Sequence, residues 1–428
     1  MSAPSTALFT DHYELTMLQA ALGSGTAHRR SVFELFGRRL PEERRYGVVA
    51  GVGRALDALE AFRFDEPVLA ALEGVVDGPT LEHLAGWRFT GDVWGYPEGE
   101  VWFPHSPLLV VEASFAEAVL LETVLLSIYN HDSAIAAAAS RMTRAAGDRP
   151  CIEMGSRRTH EEAAVAAARA AYVAGFTTSS NLAARQRYGV PTTGTSAHSF
   201  TLLHDNEADA FRAQVASLGS GTTLLVDTYD VAEAVRVGVE VAGTDLGAVR
   251  LDSGDLGDLA HEVRAQLDAL GATGTRIVVT SDLDEFAIAA LAAAPVDAYG
   301  VGTQLVVGSG HPTSGLVYKL VEREGEDGAM VPVAKRSRDK ASVGGRKWAR
   351  RRLDGRGRAV AEVVGVGEQP APGERERDLL VPLVRDGEVV GREPLEAARE
   401  RHLRVREELP LRARSMARGE PALPTLTS

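Results

Sequence analysis

Leu15, Leu18 and Leu22 recur at helical spacing just after Asp11 and Glu14, a pair suited to a capping box, and Gly23 supplies a stop. The chain is therefore expected to open on a helix. Alternating stretches at 31–36 and 101–103, with turns at Pro97 and Pro104, predict strands that complete an α+β unit. Residues 116–146 read as helix again, rich in Ala and Leu, with polar Asn130, His131 and Asp132 midway and Gly147 at the end. The rhythm then changes. Apolar, β-like runs near Cys151, Phe176, Val190, Leu224, Val249, Ile277, Ala298 and Val317 are separated by helical stretches, and several are followed by Gly, Ser or Asp. Strand, polar loop and helix in repetition predict parallel βα units, and about eight runs favour an irregular α/β barrel over an open sheet. Beyond Lys335 come charged turns, short strands at 360–364 and 379–384, and a charged helix from Glu393. The expected organisation is an N-terminal α+β domain at 1–115, the barrel at 116–330, and a segment at 331–428 that returns to pack on the first domain.

Composition narrows the class. A chain of 428 residues with 45% hydrophobic and 25% charged residues can bury a sizeable core, and its length asks for more than one unit. Net charge is −13, which disfavours a nucleic-acid or anionic-membrane surface, although basic residues concentrate at 335–358. Nucleic-acid binding through that segment is a distant alternative, since it holds a single aromatic, Trp348. Cys151 is the only cysteine, so an intrachain disulfide and a Cys-based zinc site are excluded. The residues before Arg29 include no Lys or Arg, so no leader pattern is read. The longest charge-free run, 298–318, is broken by Gly300, Gly302, Gly308, Gly310, Pro312 and Gly315 and does not read as a membrane span. A cytoplasmic location, without membrane or nucleic-acid partners, is expected.

In parallel βα architectures ligands sit at the carboxyl ends of the strands, so the loops just after the runs are the ones to read for chemistry. Gly155-Ser156-Arg157-Arg158 offers backbone donors and guanidinium groups for a carboxylate or phosphate, unless the arginines are solvated or pair with Glu161 and Glu162. Gly194-Thr195-Ser196-Ala197-His198-Ser199-Phe200 surrounds a histidine with small residues; a structural imidazole is the plain reading, and a base or phosphate acceptor the functional one. Arg250-Leu251-Asp252-Ser253-Gly254-Asp255 and the Asp227, Asp230 pair place carboxylates after neighbouring runs. They suit Mg²⁺ through water or ribose hydroxyls, and equally suit helix caps. Gly300-Val301-Gly302-Thr303 allows an anion nest or simply a tight turn. A Walker-type phosphate loop is absent from the sequence.

Taken in order, these loops with Thr10-Asp11-His12-Tyr13-Glu14-Leu15-Thr16-Met17 and Phe33-Glu34-Leu35-Phe36 resemble the successive motifs of the nicotinate phosphoribosyltransferases, from about Thr10 to Arg350. The resemblance implies an N-terminal α+β domain, an irregular barrel of the type II phosphoribosyltransferase kind and a C-terminal return. It implies transfer of phosphoribosyl from phosphoribosyl pyrophosphate (PRPP) to nicotinate, coupled to ATP hydrolysis with Mg²⁺, in NAD salvage. It further implies that His198 is transiently phosphorylated, that Thr195 and Arg250 contact nicotinate, that Thr303 contacts the PRPP phosphate, and that Tyr13 reaches the site across a homodimer interface. Gly300 and Gly302 join Thr303 as expected phosphate-binding positions, and Arg157 and Asp252 have chemistry suited to the substrate and the leaving pyrophosphate. Nicotinate needs no base, because its ring nitrogen is already a nucleophile; His198 is better explained as an energy-coupling residue. The expected metal has no direct side-chain ligand assigned.

The enzyme alternatives are nicotinamide and quinolinate phosphoribosyltransferases. Arg157 and Arg250 favour an acid, and the lack of a richer cationic cluster disfavours the diacid. Ser180 stands where the nicotinamide enzymes carry aspartate, whose charge would repel nicotinate's carboxylate. One departure from the family lies at Lys340-Ala341-Ser342-Val343-Gly344-Gly345-Arg346-Lys347, where Gly replaces a usual Pro. Lys319, Lys335, Lys340 and Lys347 are the only lysines. Their clustering leads to the expectation that Lys340 and Lys347 ride a mobile loop over ATP or PRPP phosphates.

Overall fold

The computed structural model describes residues 4–41, 44–335 and 343–428, which fold into two compact units, Met1–Ala137 with His311–Ser428, and Ala138–Gly310. The expected barrel region is thus shortened at both ends. Residues 116–137 and 311–330 belong to the first unit, because the strand Leu316–Glu324 pairs antiparallel with Arg30–Gly37. Among the described residues no helix is long and apolar enough to cross a membrane.

The first unit is built on a seven-stranded antiparallel sheet in the order Met330–Pro332, Leu316–Glu324, Arg30–Gly37, Leu109–Ser114, Asp92–Gly95, Val381–Arg385, Glu388–Val389. Its central members are N-terminal and both flanks come from beyond His311, so the expected return is a literal strand pairing. Phe33 stacks on Tyr318 at 4.9 Å, joining the two chain segments in one core. A second, four-stranded sheet holds Glu376–Asp378, Lys347–Leu353, Ala359–Val366 and Thr425–Thr427. The opening helix, His12–Gly23, forms as expected but without the capping box: Asp11 makes no side-chain cap, and Glu14 turns inward. There its carboxylate accepts from the Thr10 hydroxyl and from the backbone and hydroxyl of Thr123.

The second unit is a six-stranded, wholly parallel sheet in the order Thr178–Ser179, Cys151–Glu153, Ala298–Val301, Arg276–Val279, Ala248–Leu251, Thr223–Leu225. Apart from the one jump from edge to edge, each strand is followed by its neighbour on the same side. With right-handed crossovers, that constant direction puts the connecting helices on one face, the layout of a half-barrel. Two of the eight expected strands are missing from it. The run near Val190 makes only an isolated bridge from Thr192 to Ser179, and the run near Val317 has gone to the antiparallel sheet. The edge strands do not pair with each other among the described residues, so the sheet stays open.

Candidate active site

All strands of the parallel sheet end on one side, and the loops that leave them line a cleft of about 220 Å³. Its walls are Met154, Arg157 and Arg158 after the first strand, Arg250 and Asp252, then Thr280, Ser281 and Asp282, and finally Gly300, Gly302 and Thr303. Four of the loops singled out by position in the sequence therefore border the cleft or the histidine beside it.

Gly155 to Arg158 form a turn, closed by the Arg158 N–H donating to the Gly155 carbonyl at 2.8 Å. They do not start the next helix; that is Glu161–Val173, capped by His160. Glu162 is taken by Arg187, and among the described residues neither Arg157 nor Arg158 has an ion-pair partner. Pairing with Glu161 and Glu162 is thereby removed, and both arginines are exposed to solvent beside the cleft.

Arg250 leaves the strand Ala248–Leu251 half-buried, donating to the Thr195 hydroxyl at 3.0 Å, while its Nε is buried with no partner. Burial pulls this guanidinium below the usual arginine range, against the attraction of Asp252 and Asp227 and with the help of nearby Arg157. It remains a cation, because arginine is not deprotonated in proteins. A desolvated guanidinium facing a cleft is a strong receptor for a carboxylate or phosphate.

His198 opens the short helix His198–Leu202, with Nδ1 at 3.1 Å from the Thr228 hydroxyl. Its Nε2 faces Asp227 at 3.9 Å and Asp252 at 4.0 Å. Asp227 is nearly buried; one oxygen accepts from the Asp252 N–H at 3.0 Å and the Ser253 hydroxyl at 2.7 Å, and the other is buried without a partner. Asp252 accepts from Thr280. Capping falls to other carboxylates, Asp230 and Asp255, which hold the next two helices. The two aspartates beside His198 are thus free of that structural duty.

Gly300 lies inside the strand Ala298–Val301 rather than in an anion nest. A Cβ there would run into the Thr280 methyl and come within 2.9 Å of Met154 Sδ, so its glycine is a packing requirement. Gly302 precedes the four-residue helix Thr303–Val306, and both Gly302 and Thr303 face the cleft. Ser180 is exposed just after the edge strand, and its N–H donates to the Glu153 carbonyl at 2.9 Å.

Two expected site residues belong to the first unit, and a third lies outside the described residues. Tyr13 belongs to the first unit, on its opening helix, 46% exposed. Lys340 falls outside the described residues. Lys347 is corrected: it begins a strand of the first unit, is buried, and is ion-paired to Glu34, because the register of that strand turns its ammonium inward. The basic run is corrected with it. Arg346 pairs with Glu112, Arg350 with Asp378, Arg351 with Glu362 and Arg352 with Glu376, so these four cations of the run serve folding. Met154, Thr228, Thr280, Ser281 and Asp282 were not anticipated as site residues. Thr280, Ser281 and Asp282 follow the run near Ile277 and obey the same post-strand rule; Ser281 also has a positive φ of 125°, which a sequence does not announce.

Comparison with known proteins places this architecture. The sequence profile described as nicotinate phosphoribosyltransferase (NAPRTase) N-terminal domain matches residues 8–130. The nicotinate phosphoribosyltransferase pncB1 of Mycobacterium tuberculosis is 58% identical over 98% of this chain and 95% of its own length. The nicotinate phosphoribosyltransferase of Bacillus subtilis is 39% identical over 80% of this chain and 72% of its own. Among solved structures, human nicotinic acid phosphoribosyltransferase superposes with a TM-score of 0.84 at 26% identity, covering 98% of this chain and 97% of that one. The nicotinate-nucleotide pyrophosphorylase of Pyrococcus furiosus gives 0.76 at 26% identity over 94% and 95%.

Proposed function

The chain belongs to the nicotinate phosphoribosyltransferase family, and we propose that nicotinate and PRPP react in the cleft at the carboxyl ends of its parallel strands. The enzyme joins nicotinate to the phosphoribosyl group, giving nicotinate mononucleotide and pyrophosphate for NAD salvage. The ring nitrogen supplies the electron pair that forms the bond to ribose C1, and the bond from C1 to pyrophosphate breaks with its pair leaving on oxygen. Positive charge grows on the sugar and negative charge on the leaving group, so fixed cations that are already desolvated lower the barrier. Arg250, partly desolvated, fits this role, and the exposed, unpaired Arg157 supplies a second cation for the nicotinate carboxylate, with Thr195, Gly302 and Thr303 as further donors. Ser180 selects nicotinate over nicotinamide by offering a hydroxyl where a carboxylate would repel it.

The observation that carries the coupling to ATP is the imidazole of His198 set between Asp227 and Asp252 beside a cleft of unpaired arginines. In this reading the proton sits on Nε2, the side of the two carboxylates, and the lone pair on Nδ1, where the Thr228 hydroxyl lies. That nitrogen attacks the γ-phosphorus of ATP and the bond to ADP breaks; water later cleaves the phosphohistidine to inorganic phosphate. Asp227 and Asp252 also suit Mg²⁺. This ion typically takes one or two carboxylates and fills the rest of its octahedron with water and substrate phosphates, and Asp227 has a buried oxygen without a partner. When bound, Mg²⁺ would neutralise charge on the pyrophosphate. Tyr13, exposed on the first unit, is assigned to the site of a partner subunit in a homodimer. A cytoplasmic setting suits a chain whose single cysteine, Cys151, is in no disulfide.

The test is purified protein supplied with PRPP and either nicotinate, nicotinamide or quinolinate, with and without ATP, alongside His198→Ala. Nicotinate mononucleotide formed faster with ATP, acid-labile label from ATP on wild type, and loss of both label and ATP stimulation in the variant are expected. Undiminished labelling of His198→Ala would sink the phosphohistidine assignment.

A further inference from the structure

Glu153 ends the first strand of the parallel sheet, fully buried, beneath the turn that carries Arg157. A buried carboxylate is costly unless its oxygens are bonded or paired with a cation, and burial pushes this one above the usual carboxylate range. No cation pairs with it among the described residues. Its two oxygens go to two different post-strand segments. One accepts from the Gly155 N–H, at the head of the arginine turn, and the other from the Ser179 hydroxyl, at the end of the edge strand.

The bonds then close on themselves. Ser179 Oγ accepts from the Asn181 N–H at 2.8 Å, and the Asn181 side-chain amide donates to the Ser156 hydroxyl at 3.1 Å, back on the turn. Between these partners Ser180 is held by its own N–H on the Glu153 carbonyl. Asn181 caps the helix Leu182–Tyr188 through the Ala184 N–H at 2.9 Å, which anchors the segment from the far side. The turn has no room to drift toward the last strand's exit, because a Cβ on Gly155 would collide with Val306.

We propose that Glu153 is a positioning residue that locks the turn bearing Arg157 to the segment bearing Ser180, and so sets the spacing of the groups that receive nicotinate. The assignment rests on the reading of this cleft as the nicotinate site. Its chemical signature is a need for an acceptor at the Gly155 N–H rather than for negative charge. A Gln at 153 still accepts that N–H through its carbonyl, while its amide donates to Ser179 Oγ, and the ring closes with one bond reversed.

The experiment compares Glu153→Ala, Glu153→Gln and Ser179→Ala for nicotinate kinetics and for peptide-level hydrogen exchange over 154–158 and 179–181. Loosened positioning is expected to lower kcat/KM for nicotinate by roughly thirtyfold in Glu153→Ala, mainly through KM, with faster exchange in both segments, while Glu153→Gln stays within about threefold of wild type. A folded Glu153→Ala with wild-type KM and exchange overturns the proposal, and so does a Glu153→Gln as impaired as Ala. Where Glu153→Ala does not fold, Ser179→Ala decides: a raised KM with faster exchange at 179–181 supports the lock, and wild-type values overturn it. A wild type that makes no nicotinate mononucleotide tells against the functional reading instead, and the exchange data still report on the lock.

Discussion

In the strand Lys347–Leu353 of the first unit the basic side chains meet carboxylates, whereas at the carboxyl ends of the parallel strands of the second unit Arg157, Arg158 and Arg250 meet none within pairing distance among the described residues. Arg351 is fully buried against Glu362 and Glu100, and Glu100 is shared with Arg377. Arg250 is partly buried; its Nε lacks a partner, as the Nε and Nη1 of Arg351 do, but its one hydrogen bond goes to the Thr195 hydroxyl and none to a carboxylate. The residue type is the same, and both guanidinium groups lose hydration, Arg351 entirely and Arg250 in part. In one place the protein cancels that cost internally, and in the other it leaves the charge for a ligand to cancel. A paired guanidinium stabilises the fold; an unpaired one at a strand end stores affinity for an anion.

This contrast predicts opposite outcomes for the same substitution. Arg351→Ala strands Glu362 as a buried carboxylate and leaves Glu100 to Arg377 alone, and unfolding in urea should register a loss of about 3–5 kcal/mol, with the folded fraction keeping normal KM values. Arg250→Ala removes an incompletely satisfied cation, so the unfolding midpoint should hold or rise while kcat/KM for nicotinate drops by roughly a hundredfold. A stability loss at Arg250 as large as that at Arg351 would erase the distinction.

Lys347→Ala sharpens the contrast, because the lysine belongs to the paired class despite its position in the basic run. It should cost about 1–3 kcal/mol by leaving Glu34 buried alone, and leave KM for ATP and PRPP unchanged. A rise in either KM would return Lys347 to the ligand-binding class.

The smallest effect is expected at Glu14, a buried carboxylate of the first unit served by hydroxyls and a backbone N–H instead of a cation. Burial holds its acid form up to about 7, against an ordinary value of 4.5. Between those pH values the folded protein keeps a proton that the unfolded chain has released, so stability falls as pH rises through that window and is level on either side of it. Glu14→Gln should flatten this part of the stability profile measured by thermal unfolding from pH 4.5 to 7. An unchanged slope would assign the pH dependence to other buried carboxylates such as Glu34, also held up to about 7.

What could be read along the chain was whatever depends on neighbours in sequence. The βα rhythm, the return of the C-terminal segment, and the Gly155, Gly194, Arg250 and Gly300 loops all follow from local periodicity and from the rule that parallel strands present their ends to a ligand. The resemblance carried the reaction, because ordered motifs specify a family where single loops do not. Long-range pairing decided the rest. Whether Glu14 capped a helix or turned inward depended on Thr123, distant in sequence, and whether Lys347 swung over phosphate or lay buried depended on Glu34, more distant still. The strand near Val317 could join either sheet on its own pattern, and it was claimed by Arg30–Gly37, whose free edge it completes. Asp227, Asp252 and His198 came from separate loops, and only the parallel register that aligns Leu225 with Arg250 brought their side chains together. A sequence states which groups follow each strand; which of them face one another, and which charges are already spent on partners, is settled by desolvation and pairing across the sheet.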